Sequence, residues 1–237
     1  MGTNVAAKIR AVVLLSGGMD SVITAALAKA QGRDLAALTI DYGQTHRREI
    51  AAARWQAKRL GIRHHVVLKL PLGSIAVGSL VDGTAIRRSG IKKGRPSTYV
   101  SFRNGVFLAA AASFAEAVGA REIWGGWCFT DQAGYPDCTP AFFRAFERSV
   151  DAGTWAGRDG VRFSIQAPLG VLSKAASVRL GQALSVDFKH TWTCYQPSQG
   201  GRACGLCDAC RLRTQGFSEA KVLDPLTRPK VKKRKRP

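Results

Sequence analysis

The sequence predicts an α/β fold with a doubly wound, mostly parallel sheet, and three observations lead to this prediction. A continuous apolar run at residues 11–15 is typical of a strand that is buried on both faces. Strand-like and helix-like segments then alternate along the chain, as they do in doubly wound folds. The first strand and the first helix are joined by a turn that contains two consecutive glycines, Gly17 and Gly18.

The alternation can be followed in order along most of the chain. The first half is expected to contain, after the strand at 11–15, a helix around 22–30, a strand at 35–40, a helix around 50–60 and a strand at 65–70. Residues 71–99 lack a pattern, so we expect a long loop there that could act as a lid. The second half is expected to contain a helix at 107–118, a strand at 122–127, a helix at 142–150, a strand at 163–167 and a helix at 174–184.

Composition and charge restrict the class of protein. The chain has 237 residues, of which 46% are hydrophobic and 22% are charged, as expected for a soluble globular protein with a buried core. The longest apolar runs are too short to cross a membrane, and the first residues lack a secretory pattern. We therefore expect a cytoplasmic protein that does not span a membrane.

The net charge of +20 is unusual and is partly local. Residues 228–237 contain seven basic residues and no acidic one, and removing them from the total leaves +13 for residues 1–227. Such a tail is expected to be disordered, and it could bind a polyanion, attract an anionic ligand or keep the protein soluble. The remaining excess of positive charge suggests that the folded part binds anions.

The segment from Ser16 to Ser21 has the composition of a phosphate-binding loop. Its glycines permit a sharp turn and a close approach to a ligand, and the helix that follows offers free N–H groups to an anion. The hydroxyl groups of Ser16 and Ser21 can add donors, and Asp20 can hold a metal ion that bridges phosphates. The segment is not a Walker A loop, because it lacks the Gly-Lys-Ser/Thr end. It resembles the PP-loop signature Ser-Gly-Gly-x-Asp-Ser, whose members cleave ATP to AMP and pyrophosphate.

The second motif consists of four of the six cysteines, Cys194, Cys204, Cys207 and Cys210. Two-residue gaps in a chain without a secretion signal favour a metal site over disulfides. Four thiolates are typical of a closed structural zinc site, and an iron–sulfur cluster and free buried cysteines are the alternatives. The expected organisation is a PP-loop domain at 1–190, a zinc-binding segment at 191–227 and the basic tail at 228–237.

The two motifs, in this order, resemble those of the 7-cyano-7-deazaguanine synthase family of queuosine biosynthesis, and the similarity extends over about residues 10–226. Further matching blocks are Asp41-Tyr42-Gly43-Gln44, Phe102-Arg103-Asn104, Gly134-Tyr135-Pro136-Asp137-Cys138, Ser173-Lys174, Thr191-Trp-Thr-Cys-Tyr195, Gly216-Phe217 and Asp224-Pro225. The resemblance implies a reaction in which ATP adenylates the carboxylate of 7-carboxy-7-deazaguanine and ammonia displaces AMP. A second ATP then activates the amide for dehydration to the nitrile.

The resemblance also implies roles for individual residues. ATP is expected to be bound with Mg²⁺ by Ser16, Gly17, Gly18, Asp20, Ser21 and Asp41. The expected catalytic residues are Asp20, Lys174 and Arg103, of which the two cations could neutralise charge on the leaving groups. Contacts to the planar base are expected from Phe102, Trp127, Asp131, Tyr135 and Asp137. Zn²⁺ is expected on the four cysteines, and a homodimer is expected.

Three features depart from the family pattern. Residues 127–133 differ from the usual Asn-containing stretch, with Thr139 in place of an Arg; Ser101 replaces a Pro; and the charge balance and tail are unusually basic. The first changes lie at the expected acceptor pocket. Two alternatives to the nitrile synthase therefore stay open: a diverged ligase that stops at the amide or joins the carboxyl to another amine, such as one on a protein partner, and a nucleic-acid-binding protein that uses the tail.

Overall fold

The structure, a computed structural model, describes residues 11–45, 47–86, 96–129 and 135–226. Asp131, the basic tail at 228–237 and part of the expected lid loop at 87–95 lie outside the described residues. Among the described helices, none combines the length and the apolar character needed to cross a bilayer.

The sheet has five parallel strands in the order β3-β2-β1-β4-β5, which confirms the predicted fold class. The strands are β1 (Ala11–Leu14), β2 (Leu35–Asp41), β3 (His64–Lys69), β4 (Glu122–Trp124) and β5 (Ser164–Gln166). The helices are α1 (Met19–Ala30), α2 (Arg48–Arg59), α3 (Arg103–Ala117), α4 (Pro140–Gly153), α5 (Trp155–Arg158), α6 (Lys174–Ala183) and α7 (Asp208–Ala220). Helices α5 and α7 were not predicted from the sequence.

Helices cover both faces of the sheet because the strands are apolar on both sides. Along β1, Val12 packs into a core shared with α3, whereas Val13 packs into a second core shared with α1 and α2. A third core joins α1, α6 and α7 around Phe217. The alternation of side chains along each strand thus supplies both layers of the doubly wound fold.

The chain reverses its winding direction between β1 and β4. Both neighbours of β1 are parallel to it, with Ala11 in register with Leu35 of β2 and with Glu122 of β4. A crevice forms where the connections leave β1 and β4 on opposite faces, and ligands in open α/β sheets bind at such a point.

Side-chain hydrogen bonds cap the N-termini of two of the later helices. The Thr139 hydroxyl accepts a hydrogen bond from the Phe142 amide at 3.2 Å at the start of α4. The Ser173 hydroxyl accepts from the Ala176 amide at 3.1 Å at the start of α6. Thr139 is one of the departures noted in the sequence, and its hydroxyl serves as a helix cap, a function that favours Thr over Arg.

The C-terminal segment is held to the rest of the protein by a buried ion pair. Arg213 of α7 donates to both carboxylate oxygens of Asp224 at 2.8 and 2.9 Å. The same guanidinium donates to the Thr191 hydroxyl at 2.8 Å and to the Phe188 carbonyl at 3.2 Å. Because Arg213 and Asp224 are 4% exposed, each charge depends on the other for compensation.

Removal of one partner of this ion pair is expected to be strongly destabilising. Asp224→Ala leaves the buried guanidinium uncompensated and should lower the free energy of unfolding by about 3–5 kcal/mol. Urea denaturation followed by circular dichroism measures the change. The control is Asp159→Ala, at an exposed position after α5, which should change stability by less than about 0.5 kcal/mol. Equal effects of the two substitutions would contradict the assigned role.

Candidate active site

The predicted phosphate loop lies at the carboxyl end of β1 and leads into α1. The Ser21 hydroxyl donates to the Gly18 carbonyl at 2.9 Å and lies 3.1 Å from the Ser16 hydroxyl. The Gly18 amide donates to Ser16 Oγ at 3.2 Å. Both hydroxyl groups therefore cluster at the N-terminus of α1, where free N–H groups and the helix dipole favour an anion.

Two glycines let neighbouring backbone segments pack directly against this loop. Gly17 has a φ of +82°, and a Cβ at this position would collide with the Glu49 carbonyl and the Ala53 amide of α2. A Cβ on Gly126, just after β4, would lie 2.6 Å from backbone atoms of Asp20 and Ser21. The loop is thus enclosed on two sides by backbone.

Asp20 and Lys174 form an ion pair across the loop. Lys174 Nζ lies 2.8 Å from Asp20 Oδ2, and the side chains are 15% and 24% exposed. The second oxygen, Oδ1 of Asp20, is buried and has no hydrogen-bond partner among the described residues. A buried carboxylate oxygen with an unused lone pair beside a phosphate loop fits the oxygen ligand that Mg²⁺ prefers.

A cavity of about 300 Å³ opens beside this pair, at the switch point between β1 and β4. Its walls come from the phosphate loop, the residues after β4, the start of α3, the first turn of α2 and the C-terminal segment. The predicted site residues on its walls are Ser16, Gly18, Asp20, Ser21, Arg103, Trp127, Tyr135 and Lys174. Residues that are far apart in the sequence thus meet at one cavity.

Arg103 supplies a second positive charge to the cavity. It donates to the Tyr42 hydroxyl at 3.4 Å, and its guanidinium lies 5.6 Å from the centre of the Tyr42 ring. Burial by itself lowers the pKa of Arg103, but Tyr42, Tyr195 and other nearby groups outweigh it and raise the pKa above its ordinary value. Burial raises the pKa of Tyr42 to about 12. Arg103 is therefore a permanent cation and Tyr42 a neutral phenol at neutral pH.

Glu49 is a cavity residue that the sequence analysis did not select. It lies in the first turn of α2, and its Oε1 accepts a hydrogen bond from Gln44 Nε2 at 2.8 Å. Gln44 is itself fixed, since its Oε1 accepts from the Tyr42 amide at 2.9 Å. Burial raises the pKa of Glu49 to about 7, although Arg103 and Gln44 act to lower it.

Four other predicted residues occupy different positions. Gly17 belongs to the loop but packs against α2. Asp41 is buried, with Oδ2 3.5 Å from Arg47 Nη2. Oδ2 of Asp137 accepts a hydrogen bond from the Asn104 amide at 2.9 Å and so caps the first turn of α3. The other oxygen, Oδ1, is buried and has no hydrogen-bond partner among the described residues. Phe102 is 52% exposed, in the left-handed region with φ of 50°, and packs edge-on against Phe142.

The C-terminal segment also contributes to the cavity, through Trp192, Thr193, Tyr195 and Arg213. From the sequence, this segment was predicted to bind a metal ion and nothing else. Its position follows from a backbone hydrogen bond, in which the Trp192 amide donates to the Gly17 carbonyl at 2.9 Å. Two features of the sequence could have indicated that these residues line the cavity. Glu49 directly follows two arginines, and aromatic residues flank Cys194.

The four predicted cysteines converge on one point. Their sulfur atoms all lie within 4.8 Å of one another, with 3.9 Å between those of Cys204 and Cys210. Three backbone amides donate to these sulfurs: Cys204 to Cys194 Sγ, and Leu206 and Cys207 to Cys204 Sγ, at 3.2–3.4 Å. Hydrogen bonding from Cys194 lowers the pKa of Cys207 below its ordinary value. This geometry can hold a metal ion with four thiolate ligands.

The fold and the site together define a class of protein: a parallel α/β protein with a phosphate-binding loop at its switch point and a four-cysteine cluster. The family model described as "Queuosine biosynthesis protein QueC" matches residues 10–221, and the chain belongs to this family. The family predicted from the sequence motifs is therefore confirmed.

Individual relatives are similar along most of their length. The chain is 47% identical over 216 residues to the 7-cyano-7-deazaguanine synthase of Rhizorhabdus wittichii, covering 91% of this chain and 94% of that protein. It is 48% identical to the 7-cyano-7-deazaguanine synthase of Azotobacter vinelandii, covering 91% and 96%. A solved NMN synthetase from Francisella tularensis matches with a TM-score of 0.48 and 16% identity, covering 92% of this chain and 79% of that chain.

The contact between the phosphate loop and α2 leads to a prediction about Gly17. Gly17→Ala adds a methyl group that collides with the backbone of α2 and should lower stability by about 1–3 kcal/mol in addition to the cost of its positive φ. Gly32→Ala is the matched control, because Gly32 has a φ of +77° but open space around it. Its expected cost is about 1 kcal/mol.

Thermal unfolding and nucleotide titration distinguish the two variants. Gly17→Ala should also weaken ATP binding, because the loop must move away from α2, whereas Gly32→Ala should leave ATP binding unchanged. Unchanged nucleotide affinity in Gly17→Ala would contradict the assignment of this loop to phosphate binding.

Proposed function

We propose that this chain is a 7-cyano-7-deazaguanine synthase, which converts 7-carboxy-7-deazaguanine, ammonia and ATP to the nitrile, AMP and pyrophosphate. The observation that carries the proposal is the Asp20–Lys174 pair at the phosphate loop, next to a cavity of about 300 Å³ lined by aromatic rings and Arg103. Membership of the QueC family and the names of the relatives support the same substrate class.

Adenylation is the first chemical step. Backbone N–H groups and the hydroxyls of Ser16 and Ser21 bind the phosphates that leave as pyrophosphate. Asp20 would hold Mg²⁺ through its unpartnered Oδ1, and the ion would supply positive charge that neutralises the phosphates. Lys174 stabilises the charge that develops as the substrate carboxylate attacks the α-phosphate.

The acyl adenylate formed in this way reacts with ammonia within the cavity. A carbon–nitrogen bond forms, the bond from the acyl carbon to the phosphate oxygen breaks, and AMP leaves. The permanent charge of Arg103 favours the anionic leaving group. In the second half of the reaction the amide oxygen attacks the α-phosphate of another ATP and displaces pyrophosphate, and one N–H proton is lost to give the O-adenylated imidate. Loss of AMP and of the last N–H proton then gives the nitrile.

The planar base is proposed to bind against the aromatic walls of the cavity. Trp127 and Tyr135 supply rings for stacking. The buried Asp137, which retains an unpartnered Oδ1, is the proposed acceptor for the N–H edge, with Asp131 and Phe102 as further contacts. ATP is also proposed to contact Asp41, next to the buried end of β2.

The cysteine cluster is proposed to hold a structural Zn²⁺ ion. Four sulfurs within 4.8 Å of one another match a tetrahedral Cys₄ site, in which zinc–sulfur distances are about 2.3 Å. The four thiolates leave no open position for a substrate. The cation would link the loop at Cys204 to α7 and so keep the wall of the cavity in place.

The zinc proposal leads to a measurable prediction. The purified protein should contain about one zinc per chain by elemental analysis, and Cys207→Ser should lose the metal and unfold at a lower temperature. Cys128→Ser, a thiol outside the cluster, should retain zinc. Iron with visible absorbance in place of zinc would show that the cluster is an iron–sulfur site instead.

The remaining parts of the proposal concern location and assembly. The enzyme is proposed to act in the cytoplasm on a small-molecule substrate and to form a homodimer.

The experiment that tests the function is mass spectrometry of a reaction that contains the protein, ATP, Mg²⁺, 7-carboxy-7-deazaguanine and ammonium, with AMP measured in parallel. The expected result is the nitrile with two AMP per product. Lys174→Met should lower turnover by about 10²–10³-fold, as expected for loss of a charge that stabilises the transition state.

The same reaction distinguishes the alternative functions. Accumulation of the amide with one AMP would indicate a diverged ligase that stops halfway. AMP release without either product would indicate a different amine acceptor, and no AMP release would contradict the synthase.

A further inference from the structure

We propose, on the basis of the synthase function above, that Glu49 is the general base that removes the protons from the nitrogen as ammonia becomes first the amide and then the nitrile. It is a catalytic residue distinct from the groups that handle ATP.

The position of Glu49 places its carboxylate between the two halves of the site. The first turn of α2 packs against Gly17 of the phosphate loop, and Glu49 lines the cavity from this turn. On its other side lies Arg103, whose charge acts on Glu49 through space. A substrate carbon joined through oxygen to an α-phosphate at the loop would therefore lie in the cavity that Glu49 lines.

The other carboxylate on the described walls of the cavity is already engaged. Asp20 is the second carboxylate there, and it forms the ion pair with Lys174. Tyr42 has its pKa raised to about 12 and is a neutral phenol, unsuited to accept a proton near pH 7. The described walls contain no histidine. Glu49 is thus the carboxylate that is left for proton transfer.

The local environment gives Glu49 suitable properties for this role. Burial raises its pKa to about 7, so that it is a stronger base than an exposed carboxylate and is still ionised in half of the molecules at that pH. Gln44 holds one oxygen, Oε1, by a hydrogen bond of 2.8 Å and orients the group. The orientation is transmitted from the backbone, because Gln44 is held by the Tyr42 amide.

The proton balance requires such a group in both halves of the reaction. Ammonia attacks the acyl adenylate, the carbon–nitrogen bond forms, AMP leaves with the bonding electrons of the carbon–oxygen bond, and Glu49 accepts the proton lost from nitrogen. When the amide oxygen displaces pyrophosphate from the second ATP, Glu49 accepts one N–H proton and a neutral O-adenylated imidate forms. The second AMP then leaves with the bonding electrons of the carbon–oxygen bond as the nitrile bond forms, and Glu49 accepts the last N–H proton. It releases each proton to water before it accepts the next.

The test separates the half-reactions, which respond differently to loss of a base. ATP–pyrophosphate exchange dependent on 7-carboxy-7-deazaguanine reports adenylation of the carboxylate, which requires no base because the acid is already ionised. Dehydration of the synthetic amide with ATP reports the second half without ammonia. We expect Glu49→Gln to retain exchange within about threefold and to lose about 10²–10⁴-fold in both amide formation and dehydration.

The pH profile of dehydration provides a second readout. In the unmodified protein the rate should fall about tenfold per pH unit below about pH 7, because Glu49 becomes protonated and a protonated carboxyl cannot accept a proton. Arg103, Asp41 and Tyr42 are the charged or titratable groups that face it from α3 and β2. In Glu49→Gln this decline should disappear, and Glu49→Asp should restore both the decline and part of the rate.

The control is Glu219→Gln, which makes the same chemical change at a carboxylate whose partner is the exposed Gln215 of α7. It should leave all three rates unchanged. Equal loss of exchange and dehydration in Glu49→Gln, or an unchanged pH profile, would overturn the assignment to proton transfer and indicate a substrate-binding or structural role. Absence of exchange in the unmodified protein would instead overturn the synthase function, and the role of Glu49 with it.

Discussion

The close backbone packing around the phosphate loop is the constraint on which the site depends. The loop contacts α2 through Gly17, the end of β4 through Gly126, and the C-terminal segment through the hydrogen bond from the Trp192 amide to the Gly17 carbonyl. The backbone contacts at Gly17 and Gly126 leave no room for a side chain at either position. Three remote parts of the chain are consequently positioned with respect to the same few atoms, and the cavity is the space between them.

The charges around the cavity divide into two groups with different surroundings. At the loop, Asp20 and Lys174 compensate each other in an ion pair and still leave one carboxylate oxygen for a cation. Beside the loop and at the start of α3, Glu49 is only partly compensated, and Arg103 lies among tyrosines that raise its pKa. A low-dielectric cavity thus combines a site for a polyphosphate with a carboxylate that can exchange a proton. Both are required for adenylation followed by attack of an amine.

The cysteine cluster and the cavity are connected through α7. Cys210 belongs to the sulfur cluster. Arg213, about one helical turn further along α7, pairs with Asp224 and lines the cavity. A cluster that appears peripheral in the sequence therefore supports the site directly. The buried ion pair adds to this, because it fixes α7 against the turn at residues 188–191.

The sequence by itself determined those features that depend on neighbouring residues. Apolar runs and alternating residues predicted all five strands and a mostly parallel sheet, because apolar side chains recur at local spacings in such strands. The phosphate loop and the four cysteines were likewise recognisable, since six consecutive residues and two-residue gaps carry their chemistry locally. Only the tertiary structure decided which side chains meet. Lys174 reaches Asp20 across 154 positions of the chain, Glu49 becomes a half-buried carboxylate by packing beside the loop, and Asp137 caps α3. These contacts depend on how helices and strands pack, and residue spacing contains no record of the distance between remote segments or of the burial of a single polar side chain.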